Sequence, residues 1–131
     1  MLRSLFAIIG GYIAMSVGIG ITTFLVARFF PGIAVSGQPT ANYILINLTY
    51  SSLFAIFGGF MAALIAGREP LKHAIILAAV CYLFFLMAMG APAPPDMPPW
   101  PFWYKVGLLI ILGPSVTLGG FLRQRQNPLT D

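Results

Sequence analysis

Long apolar runs separated by short polar breaks dominate the chain. They cover residues from about Leu5 to Ala27, Tyr43 to Ala66, Ala74 to Ala91 and Trp103 to Leu122. The first three contain no Asp, Glu, Lys or Arg, and the fourth carries only Lys105, at its start. A hydrocarbon core about 30 Å thick needs about 20 apolar residues per helix, and barrel strands would be shorter and would alternate polar with apolar. The pattern therefore predicts four transmembrane helices in a single all-α domain, an integral membrane four-helix bundle spanning residues 1–131.

The breaks are chemically distinct. Pro31 and Gly32 stop the first run, and Gly37, Gln38 and Pro39 continue that loop. Gly67 to Pro70 supplies a C-cap glycine and a proline to open the third helix. Between the last two helices, Pro92, Pro94, Pro95, Pro98, Pro99 and Pro101 predict a stiff polyproline-like path. Arg3 before an apolar run has the look of a signal peptide. The run is too long for one and lacks a small-x-small cleavage site, so it is expected to stay as a helix.

Composition agrees with this reading. Of 131 residues, 59% are hydrophobic and only 8% charged, and the mean hydropathy is +0.91. Soluble domains carry about 25% charged residues. A soluble enzyme, a nucleic-acid binder and a disordered tail are thereby excluded. The net charge of +4 comes from basic residues scattered between spans, a topology signal rather than a phosphate-binding face. Arg3, Arg68, Lys72, Arg123 and Arg125 share one side, and Arg28 and Lys105 the other, which predicts both termini in the cytoplasm. The one cysteine, Cys81, permits no internal disulfide and reads as a packing residue.

Small residues mark expected packing faces. Gly10, Ala14 and Gly18 repeat every fourth position on the first helix, Ala55, Gly59 and Ala63 on the second, and Ser115 and Gly119 on the fourth. A Gly-Gly-aromatic triplet recurs at Gly10, Gly58 and Gly119, which raises the idea of two related hairpins.

Candidate chemistry is sparse. Trp100, Phe102, Trp103 and Tyr104 gather where the outer interface should lie, either as an anchoring belt or as a surface for docking a partner. On the second helix Asn47 and Ser51 stand four apart on one face, with Thr22 and Thr23 as partners across the first helix. They could hydrogen-bond between helices or line a polar path. His73, the only histidine, could ligate the magnesium of a chlorophyll or bacteriochlorophyll, although beside Lys72 it reads more simply as a solvated residue. Pro114 should loosen the fourth helix, with Ser115 and Thr117 satisfying the freed groups. No metal site, phosphate loop or catalytic triad is present in the sequence. Small multidrug-resistance transporters share the size but depend on a first-helix glutamate, and Gly11 to Ile21 holds no carboxylate. Small fluoride channels form antiparallel dimers, which the five-to-two charge bias disfavours.

Three segments carry a resemblance: Gly58-Gly59-Phe60 through Gly67-Arg68-Glu69-Pro70-Leu71-Lys72-His73-Ala74, then Trp103-Tyr104, then Leu118-Gly119-Gly120-Phe121-Leu122-Arg123. Together they resemble small uncharacterised bacterial four-helix membrane proteins. That resemblance implies a multi-pass protein of the bacterial cytoplasmic membrane and carries no functional residues.

The expectation from sequence is a non-enzymatic accessory subunit of a larger photosynthetic or respiratory membrane complex. It would pack against larger subunits and bind lipid, or a pigment through His73. The alternative is a small homo-oligomeric transporter or channel with its path past Asn47, Ser51 and Thr22.

Overall fold

The computed structural model describes residues 2–31, 40–92 and 100–126. Four helices account for nearly all of them: α1 (Leu2–Phe29), α2 (Ala41–Ala66), α3 (Pro70–Gly90) and α4 (Phe102–Gln126). Each is long and apolar enough to cross a membrane. The Gly37–Pro39 loop and most of the proline-rich stretch lie outside the described residues.

Local chemistry sets the boundaries. The Thr40 hydroxyl accepts from the Tyr43 N–H at 3.2 Å and caps the start of α2. Gly67 ends α2 in the left-handed conformation, φ 71°, with its N–H donating to the Ala63 carbonyl. Arg3 reaches across from α1, its Nε donating to the Ile65 carbonyl at 2.9 Å. Pro70 opens α3 four residues earlier than the apolar run suggests, because proline suits a first turn whose N–H groups lack partners anyway. Glu69 before it holds φ 47°, and its carboxylate accepts from Lys72 Nζ at 2.9 Å. That hydrogen bond holds the exposed Glu69 carboxyl below the usual carboxylate range. The contact is present above that range and lost as pH falls through it. α4 runs on past Leu122 to Gln126, with Arg123 and Arg125 in its last turn, where cations favour the helix dipole.

The turn between α2 and α3, the start of α1 and the end of α4 lie at one end of the bundle, called here the terminal end. The opposite end is the far end. α2 is the hub and packs on α1, α3 and α4, while α1 and α4 make no contact among the described residues. Two glycine crossings hold the hub. A Cβ on Gly11 would come within 2.7 Å of the Gly58 carbonyl oxygen, and one on Gly58 within 2.9 Å of the Gly11 oxygen. A Cβ on Gly59 would overlap the Val116 carbonyl, and one on Gly119 the Ile56 carbonyl. Successive helix residues point about 100° apart, so each Gly-Gly pair serves two neighbours. Gly58 faces α1 and Gly59 faces α4; Gly119 faces α2 and Gly120 faces Ala74 on α3.

Ala55, Gly59, Ala63, Ser115 and Gly119 are buried as their spacing predicts. On α1 the expected face is corrected by one position. Ala7, Gly11 and Met15 are buried, whereas Gly10, Ala14 and Gly18 are half-buried. Gly10 meets Ile65 and Gly18 meets the Phe54 ring, both side chains, while Gly11 meets backbone. Large apolar side chains such as Phe6, Ile13, Phe24, Leu53, Leu83 and Ile110 cover the outside. Such a surface suits a hydrocarbon solvent and suggests a multi-pass membrane protein.

Candidate functional site

The strongest polar feature is a chain of side-chain hydrogen bonds near the far end. The Tyr104 hydroxyl of α4 donates to Asn47 Oδ1 of α2 at 2.6 Å. The Asn47 amide donates to the Tyr50 hydroxyl one turn along the same helix. Tyr50 in turn shares a hydrogen bond with Thr23 Oγ1 of α1 at 2.8 Å. Three helices are thereby tied through one amide. The need is physical, since a polar group in an apolar interior is costly unless paired. Every fully buried side-chain nitrogen and oxygen among the described residues has a partner.

Beneath this chain lies a cavity of about 340 Å³. α2 contributes Asn47, Ser51, Ser52 and Ala55; α1 contributes Tyr12, Met15, Ser16 and Ile19. Cys81, Phe84, Phe85 and Ala88 of α3 and Tyr104, Leu108, Ile111 and Leu112 of α4 complete the wall. From Asn47 to Ala55 its depth is about 12 Å along α2. The cavity exists because α1 and α4 do not meet, and because α3 beyond Cys81 turns mostly exposed side chains outward. Ser52 donates to the Leu48 carbonyl at 2.7 Å. Ser51, 7% exposed, makes no side-chain hydrogen bond among the described residues.

Asn47 and Ser51 thus share one surface, as their spacing predicts. The partner on α1 is Thr23. Thr22 is half-buried, and the expectation that it lines a path with them is corrected, because it is absent from the cavity wall. Sequence reasoning missed Tyr50, three residues from Asn47, and Ser16, which faces the cavity from α1.

The far-end aromatics divide into two pairs. Trp100 stacks on Tyr104, a residue of the cavity wall, with centroids 4.6 Å apart and lies 5.9 Å from the Tyr43 ring. Phe102 and Trp103 point away, 75% and 51% exposed. Trp100 and Tyr104 are half-buried and stack on each other, while their neighbours Phe102 and Trp103 are exposed.

α4 is opened at a second place. The Gly113 N–H donates to the Tyr82 hydroxyl at 3.1 Å, and that hydroxyl donates to the Leu109 carbonyl at 2.9 Å. In an unbroken helix Gly113 would bond Leu109 directly, so Tyr82 has inserted into the ladder one residue before Pro114. The expected relief by Ser115 is corrected: Ser115 is buried elsewhere, and Thr117 donates to the Gly113 and Pro114 carbonyls.

His73 is 7% exposed, and its Nδ1–H donates to the Glu69 carbonyl at 3.0 Å. It sits inside the bundle at the terminal end. The expectation of a solvated histidine is corrected. Among the described residues no three His, Cys, Asp or Glu side chains gather into a metal-holding group. No family model matches the chain, and no curated protein or solved structure is similar to it.

Proposed function

We propose that this protein is a non-enzymatic binding component of a bacterial cytoplasmic membrane, of transporter type, that takes a small molecule into the cavity between its four helices. With both termini in the cytoplasm, as the basic residues favour, the cavity lies in the outer-leaflet half. The observation that carries the reading is the cavity itself. It is walled by all four helices, with Tyr104 hydrogen-bonded to Asn47 in its wall, and lined by the buried Asn47 and Ser51. Its volume falls at the small end of the roughly 300–1,000 Å³ usual for small-molecule sites, which are largely apolar with a few placed polar groups.

The test is to purify the protein in a mild detergent and identify bound small molecules by organic extraction and mass spectrometry. Ala88→Trp fills the cavity from an exposed wall position and should spare the core. A molecule recovered near one per chain with the native protein and depleted several-fold with Ala88→Trp is the expected result. Equal recovery from both, or none from either, contradicts the reading.

A second reading rests on Phe102 and Trp103, whose exposure leaves an aromatic pair at the far end of α4. In it the chain is an accessory subunit that docks on a larger membrane protein through this pair. Fixed-stoichiometry co-migration with such a complex, lost when both residues are alanine, would favour it.

A further inference from the structure

We infer that the cavity recognises an uncharged amphiphile by its carbonyl oxygen, held between Ser51 and Asn47; this rests on the reading of the cavity as a small-molecule site. The polar groups already engaged leave a specific remainder. The Tyr104 hydroxyl donates to Asn47, and Tyr50 is shared between Asn47 and Thr23. An amide has two N–H donors, and one of Asn47's goes to Tyr50. Besides the Ser16 and Tyr12 hydroxyls on the α1 wall, the second amide N–H and the Ser51 hydroxyl are left as donors one turn apart on one helix face, both side chains lining the cavity. Asn47 is 5% and Ser51 7% exposed, so what remains accessible of them is the part that lines the cavity. Two neighbouring donors on one face suit one carbonyl oxygen.

The wall defines the rest of the ligand. Among the described residues no Asp, Glu, Lys, Arg or His lines the cavity, so a carboxylate or ammonium would meet no counter-charge from them and would carry a high desolvation cost. Met15, Ile19, Phe84, Phe85, Leu108 and Leu112 offer an apolar bed for the body of the molecule. α1 and α4 do not meet and α3 is exposed at this level, so a chain longer than the cavity can extend sideways into lipid. The carbonyl of a quinone ring and that of a fatty-acyl ester share this chemistry.

Thermal unfolding of the full chain in dodecylmaltoside separates the cases. The probes are decylubiquinone, methyl laurate, the laurate anion and n-dodecane. A bound ligand raises the midpoint saturably with its concentration. The expected result is a saturable rise with one or both carbonyl probes, the lower half-saturation identifying quinone or ester. In Ser51→Ala that half-saturation should move up about two- to tenfold, the loss of one hydrogen bond. Among the described residues the Ser51 side chain bonds no protein group, so the probe-free midpoint of the variant should stay within a degree or two of the native one. Saturation by dodecane or laurate at equal concentration, or an unmoved half-saturation in Ser51→Ala, overturns the carbonyl assignment while leaving the cavity a binding site. No saturable rise with any probe also overturns the assignment. In that case, a bound molecule recovered by extraction and lost in Ala88→Trp keeps the broader reading, and its absence removes both.

Discussion

Tyr82 shows how much one hydroxyl decides. It stands between a donor and an acceptor of α4 that would otherwise pair with each other. Tyr82→Phe keeps the ring in place and removes the bridge, so the Leu109 carbonyl and the Gly113 N–H lose this partner in an apolar setting while the retained ring still opposes closure of the helix. The expected cost is about 1–3 kcal/mol, read as a lower unfolding midpoint in mixed micelles with helicity unchanged beforehand. Little of this was legible in the chain. A tyrosine within an apolar run gives no signal of its partner, and Leu109 and Gly113 lie 27 and 31 residues away. Asn47 and Ser51 were legible, because a four-residue spacing puts both on one face. Thr22 and Thr23 were not separable, since adjacent threonines differ only in helix rotation, which packing sets.

At the scale of the element, all four helices were readable from hydropathy, and the turn between α2 and α3 from Gly67 and Pro70; the Thr40 cap was not read. The register of α1 was not. Gly10 and Gly11 are equally small, and only contact with α2 decides which approaches backbone. Gly119 and Gly20 make the contrast measurable. A Cβ on Gly119 would overlap the Ile56 carbonyl and lie 2.6 Å from the Phe60 nitrogen, whereas one on Gly20 meets nothing within 4 Å. Backbone cannot step aside as a side chain can, so Gly119→Ala must push α2 and α4 apart. We expect it to lose about 2–3 kcal/mol, and Gly20→Ala to be neutral or up to about 1 kcal/mol more stable. Similar unfolding midpoints for the two variants would contradict the crossing.

At the scale of the molecule, the cavity follows from arrangement, not from any one segment. α2 binds all three other helices, α1 and α4 stay apart, and the space between them is bounded by α3. No hydropathy pattern encodes which two helices of four fail to touch, which is why the sequence suggested a polar path but not a pocket. The account's central claim is that this space holds a small molecule. Native mass spectrometry after gentle extraction from the membrane tests it most directly, because one spectrum reads both copy number and bound mass. The account predicts the 14.1 kDa chain, alone or in a few copies, carrying one small-molecule adduct per chain that Ala88→Trp removes. A chain at its bare mass, or one found only within a larger complex and without an adduct, would contradict it.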